Sequence, residues 1–304
     1  LAIEKGYKVS EYGVFSAKGG GKKRVACKTE EDVYRALGLP YIEPELREDN
    51  GEIELAKNNN LPVLIVPSDI KGDLHAHSLW SDGVNSIREM ANGCIERGYS
   101  YVAITDHSQS LKVANGLSIA ELKKKKQEID EINNSLKNFR ILFGAEVDID
   151  SKGRLDYKDA VLKEFDIVAA AIHTGFKQSK AQLTKRIISA CRNKYVHIIS
   201  HPTGRLWGVR DAYDLDFNEI FKAAKETNTA IEINSFTNRL DLNDLNCRLA
   251  KEMGVRLSID SDAHTVGQLN SIDLGVAVAR RGWLSKEDVI NTLPVDKLLK
   301  SIKK

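Results

Sequence analysis

No apolar run approaches the roughly 18 residues that a membrane-spanning helix needs, and nothing at the start of the chain reads as a signal peptide. No membrane role is expected. Cysteine is scarce: Cys27, Cys94, Cys191 and Cys247 are scattered, without a Cys-x-x-Cys pair. That usage argues against a disulfide framework and for reduced thiols in a cytoplasmic setting. Net charge is slight, +2 from 45 Lys and Arg against 43 Asp and Glu. The overall balance therefore neither demands nor forbids a nucleic-acid partner. The Gly-rich turn from Lys18 to Arg24 lacks the Gly-Lys-Ser/Thr ending of a phosphate-binding loop, so Lys22, Lys23 and Arg24 are expected to form a solvated basic tip. The chain begins at Leu1 rather than Met, which reads as a piece of something longer.

What is present is a chain of 304 residues, ample to bury a core. Residues 1–69 differ from the rest. Tyr7 to Phe15 alternates like a strand, Arg24 to Cys27 reads as its returning partner, and Thr29 caps a short helix ending near Leu37. A second short helix is expected over Glu52 to Lys57. From residue 70 onward, apolar strands ending near Leu74, Thr105, Val147, Ile172, Ser200, Ile233 and Ile259 alternate with helical stretches near 85–98, 118–137, 156–163, 179–193, 216–227 and 242–253. Ser118 and Glu121 form a capping box for the second of these. A late strand at Gly275 to Ala279 and a helix from Ser285 are expected to finish the chain. Short strands that are apolar on both faces belong to a buried parallel sheet. Seven β/α units predict a distorted (β/α)7 barrel, a TIM-like fold, preceded by a small α+β segment. An open doubly wound sheet is the alternative. It would concentrate its polar residues at one switch point, whereas here they end six of the seven strands. The lysine run Lys123 to Lys126 is read as a solvated helix face.

The polar strand ends carry the chemistry. His75 and His77 are two apart on an extended backbone and point to the same side, with Asp82 five residues on in a Gly turn. His107, Glu146, His173, His201, Asp262 and His264 lie at or just beyond the ends of later strands. His197 alone lies inside an apolar run and is read as a core or surface histidine. Mixed imidazole and carboxylate donors suit Zn, Mn or Fe and not Ca. The nine residues His75, His77, Asp82, His107, Glu146, His173, His201, Asp262 and His264 exceed the needs of one ion. They suit up to three divalent ions sharing a carboxylate. Such a centre would carry net positive charge, attract phosphate and favour hydrolysis of a phosphate ester. No Ser or Cys stands beside an evident base, so a metal-bound hydroxide is the expected attacker, with His75, His77 and Asp262 acting through the metal they hold. Asp106 and Asp260 precede ligand positions and are candidates for orienting imidazoles. Arg205, after His201-Pro-Thr-Gly, is the candidate for gripping a substrate phosphate, with Arg239 and Arg210 as weaker versions. Trp80, Trp207 and Phe236 could stack on a base, but packing under loops is the expectation.

These residues resemble the PHP (polymerase and histidinol phosphatase) family. The resemblance covers about 70–304. It rests on Asp73-Leu-His-Ala-His, Ser81-Asp-Gly, Thr105-Asp-His, Gly144-Ala-Glu, His173, Ser200-His-Pro and Ser261-Asp-Ala-His. His201-Pro-Thr-Gly-Arg-Leu, Glu232-Ile-Asn-Ser, Arg239-Leu-Asp-Leu-Asn-Asp and Gly275-Val-Ala-Val-Ala-Arg-Arg-Gly-Trp look like the C-terminal PHP domain of family X DNA polymerases. Glu11-Tyr-Gly-Val-Phe and Leu37-Gly-Leu-Pro-Tyr-Ile-Glu-Pro-Glu-Leu-Arg resemble the end of that family's thumb, so 1–69 would be a thumb remnant plus linker and 70–304 the phosphoesterase domain. The resemblance implies a trinuclear site, with His75, His77, Glu146 and Asp262 on one ion. Asp82, His107 and His264 would hold a second, and Glu146, His173 and His201 a third, Glu146 bridging. It implies metal-dependent, usually manganese-dependent, 3′–5′ exonuclease activity on DNA 3′ ends, gapped or damaged, with abasic-site cleavage in some members. The polymerase palm would precede Leu1, so the chain is expected not to polymerise, and the polymerase half of a parent chain is an implied partner. A histidinol-phosphatase-like enzyme and a non-catalytic, metal-stabilised scaffold are the alternatives.

Overall fold

Ala, Val and Ile dominate seven short segments that cannot leave either face in water, and these segments form a parallel sheet buried on both sides. The computed structural model describes residues 1–18 and 23–302. It divides into two units, Leu1–Val63 and Leu64–Lys304.

The first unit is a three-stranded antiparallel sheet with two short helices. Strands β1 (Tyr7–Ser10), β2 (Gly13–Ser16) and β3 (Arg24–Ala26) pair in that order. The stretch from Tyr7 to Phe15 is thus two strands and not the single one expected. Its alternation continues across the Glu11-Tyr12 turn, so the pattern alone hides the reversal. Gly13 marks it, with φ 118°, a backbone region closed to most side chains. Helix α1 (Glu30–Ala36) is capped as expected by Thr29, whose Oγ1 accepts from the Asp32 amide at 3.2 Å. Helix α2 is Glu52–Lys57. The centre of the Gly-rich turn, with Lys22, lies outside the described residues.

The second unit runs β4 (Gly72–Ala76), α3 (Ile87–Glu96), β5 (Tyr101–Ile104), α4 (Ile119–Ser135), β6 (Arg140–Asp148), α5 (Asp159–Leu162) and β7 (Ile167–Ala171). It continues with α6 (Lys180–Cys191), β8 (Ile198–Ile199), α7 (Phe217–Thr227), β9 (Ala230–Asn234), α8 (Asp244–Met253) and β10 (Leu257–Asp260). Helices α9 (Ile272–Arg281) and α10 (Val295–Ile302) close the described chain. Strands β4 to β10 lie in sequential order, all parallel, and a parallel bridge from Ala76 to Ala263 brings the last back to the first. The sheet is a nearly closed seven-stranded barrel, as the sequence predicted.

Alternation sorts each strand. Tyr101, Ala103, Leu142, Ile167, Ala169, Ile198 and Ala230 fill the barrel interior, plugged from below by Ile290, Leu298 and Ile302. Val102, Ile104, Ile141, Phe143, Val168 and Ile231 face the helices. Asn291 seals the gap between β10 and β4. Its Nδ2 donates to the carbonyls of Gly72 at 2.9 Å and Ile259 at 2.6 Å, while its Oδ1 accepts from the Ile259 amide at 3.1 Å. Among the described residues no helix is long and apolar enough to cross a membrane.

Two expectations fail here. Gly275 to Ala279 lies inside helix α9 and not on a strand. Val-Ala-Val-Ala suits either period, but the buried set Ile272, Gly275, Val276 and Ala279 follows helical spacing. A Cβ at Gly275 would overlap Ser235 Oγ and Ile259 Cγ2, so glycine is what lets this helix lie against β9 and β10. From Ser285 the chain makes two 3-10 turns, Lys286–Asp288 and Ile290–Thr292, and the α-helix begins only after Pro294.

Candidate metal centre

The C-terminal ends of the barrel strands deliver the polar residues to one mouth. Strand β4 takes three steps from Asp73 to Ala76 against two on β5 from Val102 to Ile104. The extra residue is a bulge. It lets Leu74 fill the barrel interior while its neighbour His75 turns its ring to the mouth. His201 and Asp262 sit in left-handed backbone, at φ 28° and 53°, which non-glycine residues adopt at a cost usually repaid at functional sites.

Glu146 is the centre of the cluster. Its Oε1 lies 2.7 Å from His201 Nε2 and 3.2 Å from His173 Nε2. Its Oε2 lies 3.0 Å from His107 Nδ1, 3.4 Å from His75 Nε2 and 3.6 Å from His77 Nε2. Asp262 Oδ1 faces His77 Nε2 at 3.2 Å and His75 Nε2 at 3.6 Å. Asp82 Oδ2 stands 3.4 Å from the Nε2 atoms of both His107 and His264. Three groups of these donors converge closely enough to share a cation: His77, Asp82, His107 and His264; His75, His77 and Asp262; and His107, Glu146 and His173.

The donor chemistry fits divalent cations. The buried nitrogens His75 Nε2, His77 Nδ1 and Nε2, and His173 Nδ1 and Nε2 have no hydrogen-bond partner. A buried polar atom left without a partner is costly, and a cation would take up the one lone pair that each neutral ring offers. Burial opposes ionisation of Glu146 and Asp262, yet the surrounding imidazoles hold both well below the ordinary carboxylate range. Burial, with His264 and His107 beside it, pushes His77 down to about 4; burial and Arg239 push His201 down to about 3. Both rings are therefore neutral near pH 7 and have lone pairs to offer. Burial disfavours the charged form of His107, but Glu146 and Asp82 outweigh it and raise the ring to about 10.

A second layer of residues sets the donors. Glu232 Oε1 is 2.6 Å from His75 Nδ1, which fixes the proton there and turns Nε2 toward Glu146. Burial pushes Glu232 up; burial also disfavours charge on His75, but Glu232, Asp262 and Glu146 outweigh it and raise the ring. Asp148 Oδ1 is 3.3 Å from His173 Nδ1. Asp106, expected to orient an imidazole, instead holds the loop that follows His77. It accepts from Ser78 N and Oγ and from Ser81 Oγ, and pairs with Lys125 Nζ at 2.8 Å. Asp260 accepts from the Leu74 amide at 2.9 Å. Lys125 corrects the reading of the lysine run. It falls on the same helix face as Leu122, Ile129 and Ile132, is fully buried, and donates to the carbonyls of Ile104 at 2.8 Å and Gly144 at 3.1 Å.

All nine expected ligands meet at the mouth. Arg205 is engaged elsewhere: Nε donates to Arg239 O at 2.8 Å and Nη2 to Leu240 O. It is Arg239 that reaches the cluster, with Nε 3.1 Å from Asp262 Oδ2 and its buried Nη1 unpartnered. Arg210 donates to Gly204 O and lies over the Phe176 ring. His197, at the opposite end of the barrel, accepts from the Val168 amide through Nδ1. Trp80 is packed with its Nε1 on Glu128, and Phe236 stands 6.3 Å from the His264 ring. Trp207 is 59% exposed and not packed under a loop. The sequence reading missed Glu232, Asp148 and Lys125 as supports. A visible signal existed for Glu232, a charge in the apolar strand Ala-Ile-Glu-Ile-Asn.

Comparison with known proteins follows the same division. The profile of the PHP domain matches residues 73–236, and that of the DNA polymerase beta thumb matches residues 1–48. The DNA polymerase/3'-5' exonuclease PolX of Bacillus subtilis (strain 168) is 48% identical over 291 residues, covering 96% of this chain and 50% of the relative. The chain thus spans about half the length of that protein. A probable phosphatase of Thermoanaerobacter sp. (strain X514) is 32% identical over 72% of this chain and 89% of its own length. The structure of histidinol phosphate phosphatase from Lactococcus lactis, complexed with zinc, L-histidinol and phosphate, superposes with a TM-score of 0.55 at 18% identity, covering 70% of this chain and 93% of that one.

Proposed function

The chain belongs to the PHP domain family of metal-dependent phosphoesterases, and on that premise we propose that it hydrolyses phosphodiester bonds at DNA 3′ ends, as a 3′–5′ exonuclease. One observation carries the reading: a single carboxylate, Glu146, lies within 3.6 Å of five imidazoles, three of which also face Asp82 or Asp262. His75, His77, Glu146 and Asp262 would hold one cation, Asp82, His107 and His264 a second, and Glu146, His173 and His201 a third. Bound manganese, zinc or iron would polarise a phosphoryl oxygen and lower the pKa of a water at the site. The remaining work belongs to the chain. Glu232 keeps His75 in the tautomer that faces inward, and Asp148 stands beside His173 Nδ1. Arg239, with a free buried Nη1, would donate to a phosphoryl oxygen; Arg205 braces the Arg239 and Leu240 carbonyls and so fixes the Arg239 loop.

The DNA substrate is favoured by the thumb match at residues 1–48 and by the exonuclease name of the Bacillus relative. A polymerase portion of a longer parent chain is the partner this reading implies. The test is hydrolysis of a 5′-labelled single-stranded oligonucleotide with Mn²⁺, with and without EDTA, beside H75A. A shortening ladder that needs both metal and His75 is expected. An intact oligonucleotide with rapid turnover of histidinol phosphate would overturn the DNA reading. It would establish the second one, a small-molecule phosphatase, which the name of the Thermoanaerobacter relative favours.

A further inference from the structure

The segment after His201 leaves the barrel mouth and returns as a tight hairpin. Leu206 and Arg210 exchange backbone hydrogen bonds, each at 2.8 Å, with Trp207, Gly208 and Val209 at the tip. The hairpin is fastened to the loop between β9 and α8. The Trp207 amide donates to Asn238 O at 2.7 Å, Arg205 donates to the carbonyls of Arg239 and Leu240, and Thr203 donates through its amide and hydroxyl to Asp241 Oδ2 at 2.9 and 2.8 Å. The residue after Asn238 is Arg239, whose guanidinium lies on Asp262. One continuous chain of contacts therefore runs from the cluster to Trp207.

The indole at its end is exposed. Trp207 is 59% and Val209 80% accessible, and the Arg205 guanidinium lies 4.8 Å from the indole centroid. A tryptophan left in water forgoes the stabilisation of burial. Here it does so on a loop held by several hydrogen bonds, with a cation on its ring to hold its orientation. Aromatic rings presented in this way beside an anion-attracting site are platforms for nucleobases, because every base has a face to stack and a phosphate to follow it.

We infer that Trp207 is the base-stacking residue of this site, taking a nucleobase of the strand whose phosphate Arg239 and the metal cluster engage. The inference rests on the nucleic-acid reading above and deepens it: the substrate is a polynucleotide recognised by a stacked base without regard to sequence. Trp207 is a specificity residue and touches no reacting atom.

The test compares two 5′-fluorescein oligothymidylates in Mn²⁺, one complete and one with its three 3′-terminal bases replaced by abasic residues. The full chain and its W207A and W207F variants are measured. Wild type is expected to prefer the base-bearing oligonucleotide by roughly 5- to 150-fold in kcat/KM, the range set by loss of one base–aromatic stack. W207A should bring that ratio near one, and W207F should keep most of it. A wild-type ratio near one, or a W207A loss equal on both substrates, overturns the inference; the equal loss is what a structural role would give. If wild type cleaves neither oligonucleotide, the exonuclease reading fails, and anisotropy with the same two probes still decides. Weaker binding of the base-bearing probe alone by W207A supports stacking, and equal binding by both proteins removes it.

Discussion

Lys125→Met tests whether the buried ion pair behind the metal cluster governs both fold and site. In the native chain Lys125 Nζ serves Asp106 Oδ2 at 2.8 Å and the carbonyls of Ile104 at 2.8 Å and Gly144 at 3.1 Å, with no exposure of either charged side chain. Burial pulls the ammonium below the ordinary lysine value. Burial also opposes ionisation of Asp106, yet the ammonium beside it keeps that carboxylate below its usual range. Methionine retains the volume and removes the cation. Asp106 is then a buried anion satisfied only by Ser78 and Ser81, and two strand carbonyls lose a donor. Breaking a buried pair from one side costs about 3–5 kcal/mol. At about 2–4 °C per kcal/mol for a unit of this size, the melting temperature should fall by about 6–20 °C. The double variant K125M/D106N removes both charges and should regain most of that loss. Calorimetry on the three variants measures the cycle, and isothermal titration with Mn²⁺ follows the site. Asp106 holds the loop between His77 and Asp82, so K125M should also weaken metal binding by about 10–100-fold. An unchanged melting temperature, or losses that simply add in the double variant, would refute this account of the pair.

Three further outcomes are expected. Glu146→Gln should abolish hydrolysis and lower metal occupancy, since one carboxylate faces five imidazoles; elemental analysis after dialysis reads the occupancy, and full metal content would count against the bridging role. Glu232→Gln should weaken metal affinity by about 10–100-fold while the fold persists, because it loosens the tautomer of His75 and no ligand is removed; calorimetric titration decides, and wild-type affinity would refute it. Arg239→Ala should cost roughly 10- to 150-fold in kcat/KM, the value of a hydrogen bond to a charged group, whereas Arg239→Lys should recover part of it; equal activity in R239A would make Arg239 only a brace for Asp262.

The barrel was legible because its strands are mostly apolar and gather His, Asp and Glu at their C-terminal ends, with Glu232 inside β9 as an exception. Period and composition agreed at every strand, and the seven-stranded parallel order followed. Where two periods fit the same letters, pattern was not enough. Val276-Ala-Val-Ala279 alternates like a strand but buries Ile272, Gly275, Val276 and Ala279 as a helix. The lysine run misled for a similar reason. Four consecutive cations look solvated, yet a helix face every three to four residues carries Lys125 inward, where Asp106 awaits it. The ligand positions could be read from residues beyond strand ends, but their supports could not. Glu232 meets His75 from a strand far away in sequence, and Asp148 faces His173 across two paired strands. Which arginine reaches the cluster depends on the path of two interlocked loops: Arg205 is closer in sequence to His201, but its guanidinium is spent on carbonyls and Arg239 takes the place beside Asp262.

The same geometry makes closure of the barrel and assembly of the site one event. Donors from His75 to His264 come from strand ends all around the sheet, and the last, β10, is joined to the first through the Ala76–Ala263 bridge and Asn291. Glu146 stands on β6, near the middle of the strand order, and its carboxylate reaches rings carried on β4 and after β5, β7 and β8. A partly formed sheet would present two or three of these donors and bind a cation weakly. The closed barrel presents all of them, in backbone that is strained at His201 and Asp262. That strain, and the desolvation of the carboxylates and rings, works against folding until cations offset it. Any cation bound at the mouth therefore favours the closed form by mass action. It also makes the order of strands, more than the identity of any one loop, the feature that sets where a phosphate could be held.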